Sequence, residues 1–157
     1  MIDVEIEDEA WLAALPRAGA IVRDAALAAL NALPGGARPD AGVVVLLADD
    51  AAVGDLNIRF RGKSGPTNVL SFPAPANPED LLGDIALAFG VCAREAQEQG
   101  KPLEHHLQHL VVHGVLHLVG YDHVTDAEAL EMERLERAVL AGFGTPDPYA
   151  AEQGDDG

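Results

Sequence analysis

The segment "LVVHGVLHLVG", residues 110–120, constrains the fold more than any other stretch, because it is apolar on nearly every side yet carries His113 and His117. A helix that is hydrophobic all round is buried. Buried imidazoles need partners, since an unsatisfied polar group in a core is costly. The sequence therefore predicts a core helix over residues 103–119 that contains two partnered histidines.

Histidines recur every four residues along this helix, which places them near one face. They are His105, His109, His113 and His117. Because a helix rises 1.5 Å per residue, neighbours lie about 6 Å apart, and a metal about 2 Å from each nitrogen can bind two of them but not three in a row. A third ligand must come from another segment. For any one of these residues alone, a merely hydrogen-bonded core histidine stays an open interpretation.

The glycine after the helix offers a third ligand. Gly120 can adopt the left-handed conformation that reverses the chain, and His123 follows three residues later. We therefore predict a metal site of His113, His117 and His123. The same ligand spacing occurs in the zinc-binding helix of metzincin proteases, but Gly114 stands where their general-base glutamate would be. Three protein ligands leave a fourth position open, which is typical of catalytic zinc and indicates hydrolysis.

The other histidines, Asp122 and Cys92 are not predicted to be metal ligands. We expect His105 and His106 on the surface and His109 at the edge of the cavity, where it could support the site. Asp122 could orient a ligand histidine or could be a turn residue. Cys92, the only cysteine, is expected to be a small apolar residue in a reducing cytoplasm and not a ligand.

The net charge of the chain limits the classes of molecule that it can bind. With 26 acidic and 10 basic residues, the net charge of −16 favours solubility and argues against sequence-wide attraction to nucleic acid or anionic lipid. No apolar run reaches the length of about 18 residues that a membrane span needs. The N-terminus is acidic where a signal peptide would be basic, so we expect a cytoplasmic protein with no membrane contact.

The hydrophobic pattern predicts one α+β domain over residues 1–150, with residues 151–157 as a disordered acidic tail. Strands are expected at "MIDVEIE", "GVVVLLADD", "NVLSFP" and "GDIALAF". Helices are expected over 17–33, from Asp49 or Asp50 to about Ile58, and over 90–100, 103–119 and 125–141, the last with a capping box at Thr125 and Glu128. The fold class is thus a mixed sheet of three to four strands packed with about five helices.

A second motif, "LNIRFRGKSGPTNVLSFP" at residues 56–73, concentrates three of the ten basic residues within five positions. They are Arg59, Arg61 and Lys63. Guanidinium groups bind phosphate bidentately, and hydroxyl and amide groups add donors, so the stretch suits a phosphate-bearing substrate. Taken alone, it could equally be a solvated basic turn.

Together the two motifs resemble the YbeY family of bacterial metal-dependent endoribonucleases. The resemblance rests on "HGVLHLVGYDH", "RGKSGPTNVLSFP", "LGDIAL" at 82–87 and the later "MERLERAVLAGFG", and it covers about residues 42–144. It implies a mixed α/β fold with the metal in a cleft. It also implies a role in small-subunit ribosomal RNA processing and ribosome quality control. One departure is that Ser64 and Gly65 stand where the family commonly has an acid and then often a basic or bulky residue.

Carried over residue by residue, the resemblance implies metal ligands at His113, His117 and His123 and a catalytic arginine at Arg61. One Zn²⁺ per chain is implied, or another divalent transition metal. The local pattern agrees, with Arg61 stabilising the transition state at phosphorus and Arg59 and Lys63 binding the flanking backbone.

Our hypothesis is thus a cytoplasmic metallo-endoribonuclease that acts on single-stranded ribosomal RNA precursors, with the ribosome or ribosome-associated proteins as partners. Either a metal-activated water or the RNA 2′-hydroxyl could attack phosphorus. Gly114 argues against a metalloprotease. A ribosome assembly factor with a structural metal and little intrinsic cleavage is the main alternative, because so acidic a chain suits a protein partner.

Overall fold

The chain alternates short strands with helices throughout the part that a computed structural model describes, which is residues 2–34, 41–65, 67–122 and 124–149. The expected tail at 151–157 lies outside these residues. The elements are β1 (Ile2–Ile6), α1 (Ala10–Ala14), α2 (Ala18–Asn31), β2 (Gly42–Ala48), α3 (Asp50–Arg61), β3 (Val69–Pro73), β4 (Leu81–Ala88), α4 (Phe89–Glu98), α5 (Leu103–Leu118) and α6 (Asp126–Gly142). Among the described helices, none is long and apolar enough to cross a membrane.

The strands form one mixed sheet in the order β1-β2-β4-β3. The first three of these run parallel, and β3 pairs antiparallel with β4 at one edge. β2 is flanked by strands on both sides and packs on both faces, which explains its continuous apolar run. The predicted α+β fold with a mixed sheet of three to four strands is confirmed, and the described sheet has four.

The two faces of the sheet carry cores of different size. Helices α2 and α5 pack against one face, α6 packs on these two helices, and together they bury the larger core, to which β2 contributes Val43, Val45 and Leu47. Helix α3 covers the other face, where Val53 meets Leu70 of β3 in a smaller core. The chain therefore has α5 on one side of the edge strand β3 and α3 on the other.

One helix boundary and one additional helix differ from the sequence prediction. α3 does not end near Ile58 but continues to Arg61, so Arg59 and Arg61 lie on its last turn and not in a loop. The short helix α1 was not predicted. It inserts Trp11, which is fully buried and whose Nε1 donates a hydrogen bond to the Ala48 carbonyl oxygen at 3.0 Å.

Strand β3 is held close to its neighbours on both sides. Gly83 of β4 has φ 142°, and a Cβ at this position would overlap the carbonyl oxygen of Phe72. Only glycine allows this approach of the two strands. On the opposite face from α3, the Ser71 hydroxyl donates to the Gly114 carbonyl oxygen at 3.3 Å, which connects the edge strand to α5.

Candidate metal centre

Two of the predicted ligands converge near the end of α5. The Nε2 atoms of His113 and His117 lie 3.1 Å apart, and their ring centroids are 4.5 Å apart at 80°. Two nitrogens bound tetrahedrally to one ion at about 2.0–2.1 Å would be about 3.3 Å apart. The two side chains are therefore already arranged as one edge of a tetrahedral metal site.

A carboxylate on α6 contacts the ring of His113 at Nδ1, the nitrogen that faces away from His117. This Nδ1 atom lies 3.1 Å from Oε1 of Glu136, whose side chain is only 1% exposed. Burial would raise the pKa of Glu136, but hydrogen bonds and charge attraction from His109 and His113 outweigh it and lower this pKa to about 2. An ionised carboxylate only accepts, so the proton of His113 resides on Nδ1 and its Nε2 presents a lone pair towards His117.

The second oxygen of Glu136 accepts two further hydrogen bonds. One comes from His109 Nε2 at 2.7 Å and the other from the Tyr149 hydroxyl at 2.8 Å. The segment after α6 is tied down by Thr145, which donates to the Gln108 side chain. Tyr149 thereby returns to α5 and completes a set of three donors around one buried carboxylate.

His109, His113 and Glu136 also form, within the described residues, a group close enough to hold an ion, since their candidate ligand atoms all lie within 4.8 Å of one another. The nitrogens of this group, however, already donate to the carboxylate. A carboxylate that accepts from one imidazole nitrogen while the other nitrogen binds metal is the usual support of a zinc-ligating histidine. The geometry therefore favours a metal on the Nε2 side of His113, with Glu136 behind it.

The chain reverses after α5 as predicted. Gly120 has φ 102°, and the Tyr121 amide donates to the Leu116 carbonyl oxygen at 3.0 Å across the end of the helix. The third predicted ligand, His123, lies outside the described residues. Asp122 is exposed just before it, and its proposed role in orienting a ligand stays a prediction.

Gly114, the position of the protease base, faces the sheet. A Cβ built there would lie 3.0–3.3 Å from three side-chain atoms of Ile85, so a longer side chain would enter the core instead of reaching the metal. Gly114 is needed for close packing of α5 on β4. This arrangement leaves no room for the glutamate of a metalloprotease.

The basic residues lie across the edge strand from this centre. Arg59, Arg61 and Lys63 are all exposed, and Arg59 forms an i,i+4 ion pair with Asp55 at 3.3 Å. The loop that follows is anchored by Asn57, whose Nδ2 donates to the Gly65 carbonyl oxygen at 2.8 Å. The structure thus places the three cations together at the end of α3. An approach of Arg61 to the metal stays a prediction.

Comparison with known proteins decides the family. Residues 11–144 match the family model described as "Endoribonuclease YbeY". The chain belongs to the YbeY endoribonuclease family. It is 50% identical over 159 residues to "Endoribonuclease YbeY" of Rhodopseudomonas palustris, covering 96% of this chain and 81% of that one. It is 51% identical over 163 residues to the protein of the same name from Paramagnetospirillum magneticum, covering 96% of each.

The fold agrees with a solved structure as well. The solution structure of TM1509 from Thermotoga maritima superposes with a TM-score of 0.56 at 25% identity, covering 94% of this chain and 98% of that one. The resemblance inferred from the sequence motifs is therefore confirmed, and the chain spans most of the length of its YbeY relatives.

The sequence prediction for His106 is wrong, whereas that for Cys92 agrees with the structure. His106 is not on the surface but 3% exposed, with Nε2 2.9 Å from Glu95 Oε1. The same oxygen accepts from Asn68 Nδ2 at 3.0 Å, so Asn68 is tied to α4 and, through His106, to α5. Cys92 is fully buried, and burial, as the main cause, raises the pKa of its thiol. This agrees with a small apolar residue and not with a thiolate ligand.

Sequence reasoning missed Glu136 and Tyr149. A signal for Glu136 was present, since Met132, Val139 and Leu140 form the apolar face of α6 and Glu136 lies on that face. A carboxylate within an apolar stripe is almost never buried unless it is paired. Tyr149 gives no such signal, because its contact with α5 depends on the path of the chain after α6.

Proposed function

We propose that this YbeY chain is a metal-dependent endoribonuclease that cleaves single-stranded ribosomal RNA precursors. One Zn²⁺, or another divalent transition metal, would be held by His113, His117 and His123. The observation that carries the proposal is the 3.1 Å separation of the His113 and His117 Nε2 atoms, with the first ring oriented by a buried carboxylate.

Each side chain has a distinct task in this reaction. When bound, the metal would supply a Lewis acid that stabilises charge on a phosphoryl oxygen. Glu136 holds the Nδ1 proton of His113, so that the Nε2 lone pair stays available. Arg61 would place a fixed positive charge against the pentacovalent phosphorus, while Arg59 and Lys63 bind neighbouring phosphates.

The distribution of charge supports a confined substrate path. The net charge of −16 repels polyanions, whereas three of the ten basic residues stand together at the end of α3. RNA binding should therefore be weak and should weaken further with added salt, because few phosphates are neutralised. A tight complex that is insensitive to salt would contradict this view.

Family membership is the support for the cellular role. We place the protein in the cytoplasm, in small-subunit ribosomal RNA processing and ribosome quality control, with the ribosome or ribosome-associated proteins as partners. The competing function is a ribosome assembly factor with a structural metal, which the acidity of the chain favours.

Metal content and RNA cleavage, measured on the same preparations, test the proposal. Wild type without a metal-binding tag should contain about one zinc per chain and should cleave single-stranded ribosomal RNA fragments, and His117→Ala should lose both. Arg61→Ala should lose cleavage but keep the metal. Arg134→Ala, which removes an exposed arginine of α6 that is 68% exposed and paired with Glu131, is the matched control.

The outcomes separate the two functions. Metal retained with no cleavage by wild type would favour the assembly factor. A preparation of wild type that binds no metal would contradict the metal site altogether.

A further inference from the structure

An aromatic ring lies exposed between the two arginines of α3. Phe60 is 65% exposed, although burial of a phenylalanine side chain stabilises a protein by about 1.5–3 kcal/mol. Isolated exposed apolar residues are common, so exposure alone assigns nothing. What distinguishes Phe60 is its position among Arg59, Arg61 and Lys63, the three cations of the proposed substrate path.

This ring has an aromatic neighbour on the edge strand. Phe60 meets Phe72 of β3 edge-on, with centroids 5.6 Å apart and planes at 67°. Such aromatic pairs contribute about 0.5–1.5 kcal/mol beyond their buried area. Because Phe60 keeps two thirds of its surface exposed, the contact holds the ring in place while leaving it accessible to a flat ligand.

The ring is also near the candidate metal centre in the fold. Phe72 points towards α3, while its neighbour Ser71 points to the opposite face and bonds to Gly114, the residue after His113. A single edge strand therefore separates the ring from the helix that carries the metal ligands. An RNA strand that passes around β3 could contact both.

The exposed apolar side chains of α3 do not form the continuous surface that a protein partner would need. Ile58 is 55% exposed on the same helix, but residues two positions apart on a helix do not face each other. Phe60 and Ile58 therefore form no continuous apolar surface. An exposed ring on the same helical turn as two arginines is instead typical of sites that bind single-stranded nucleic acid, where bases stack on aromatic side chains and arginines bind the backbone.

We propose that Phe60 is a stacking platform for an unpaired base of the RNA whose phosphates are bound by Arg59, Arg61 and Lys63. This inference rests on the proposed function and adds a reason for single-strand preference, because bases within a duplex are already stacked and cannot reach the ring. The pairing of Arg59 with Asp55 does not prevent phosphate binding, since exposed ion pairs of this kind contribute little.

Binding of short fluorescein-labelled RNA, measured by anisotropy before cleavage proceeds, tests this assignment. Phe60→Ala should weaken single-strand binding by about 5- to 150-fold and leave the affinity for the same RNA in duplex form unchanged. Phe60→Leu keeps an apolar side chain but no π face and should lose a similar factor. Phe60→Trp should bind at least as well as wild type. Ile58→Ala, the matched control, should stay within about twofold.

Two further readouts separate stacking from folding and from catalysis. The indole introduced by Phe60→Trp should be quenched by single-stranded RNA, because the natural Trp11 is fully buried and should not respond. In steady-state cleavage, Phe60→Ala should raise KM and leave kcat near the wild-type value. Should Phe60→Ala fail to fold, Phe60→Leu and Phe60→Trp decide the question.

The failure of the inference differs from the failure of the proposed function. Cleavage with equal KM and binding in wild type, Phe60→Ala and Phe60→Leu would overturn stacking and leave the nuclease intact. Single-strand binding that depends on Phe60 without any cleavage would overturn the nuclease and support stacking. No binding of single-stranded RNA by wild type would overturn the stacking proposal.

Discussion

Replacement of Glu136 by glutamine tests the support of the metal centre most directly. The substitution preserves size but converts an acceptor-only carboxylate into an amide with one acceptor and one donor group. If the amide oxygen faces His113, the NH₂ group faces His109 Nε2 and the Tyr149 hydroxyl, which both donate in the native arrangement. His109 Nδ1 is buried without a partner, so moving the proton of that ring onto Nδ1 is unfavourable.

The opposite orientation of the amide affects the metal itself. An NH₂ group facing His113 Nδ1 forces the ring proton onto Nε2, the nitrogen that should bind the ion. One orientation of the Glu136→Gln amide therefore costs hydrogen bonds at His109 and Tyr149, and the other disfavours the liganding tautomer of His113. Loss of such a supporting group typically lowers metal affinity about 10- to 100-fold, which corresponds to about 1.4–2.7 kcal/mol.

The assay is a zinc titration of metal-free protein in competition with a chromophoric chelator. Glu131→Gln is the control, because it removes the same charge from the same helix at a residue whose side chain is 44% exposed and paired with Arg134. Zinc-dependent stabilisation against urea should decrease in Glu136→Gln by the same free energy as the binding, since zinc binds the folded state. Unfolding of the metal-free proteins measures any direct loss of stability separately.

Equal zinc affinity of Glu136→Gln and Glu131→Gln would refute this account of the site. A second pair of variants identifies where the ion sits. Zinc held by His113 and His117 is lost in His117→Ala but only weakened in His109→Ala. The reverse pattern would place the ion among His109, His113 and Glu136 instead.

Three further outcomes are expected. Tyr149→Phe removes a donor to the Glu136 carboxylate and should lower the free energy of unfolding by about 1.5–3 kcal/mol, as measured by urea denaturation. Gly114→Glu forces a charge against Ile85 and should lower stability by about 3–5 kcal/mol without producing peptidase activity, and a normally stable variant would contradict this packing. Burial lowers the pKa of His106 below 6.5, so below that pH the unfolded chain binds more protons and the folded state loses stability. Urea midpoints between pH 7.5 and 5.5 should thus fall less in His106→Gln than in wild type.

The local elements were largely predictable from the sequence. The Thr125 cap of α6 is present as expected, with the Thr125 hydroxyl accepting from the Glu128 amide at 3.1 Å and donating to the Glu128 carboxylate at 3.1 Å. The apolar run of β2 and the reversal at Gly120 were also predicted correctly. These features depend on neighbouring residues and on backbone preferences that a short stretch of sequence contains.

The end of α3 was predicted three residues too early, although a local signal for it was present. The basic segment before Gly62 was interpreted as a loop, but α3 continues to Arg61 and ends at Gly62, whose φ of 67° is the left-handed conformation that caps helices. The burial of His106 was missed for a different reason, since its partner Glu95 lies on another helix. Only in this second case did packing override the local polarity.

By itself, the sequence determined the family, the α+β class and the pair His113 and His117, because spacing on one helix fixes which side chains share a face. Only the tertiary structure decided which groups support that pair by hydrogen bonds. Glu136 and Tyr149 reach α5 from α6 and from the segment beyond it, at separations of 23 and 40 residues from their histidine partners. A buried carboxylate is stable only where several donors surround it, and those donors meet only when the helices pack.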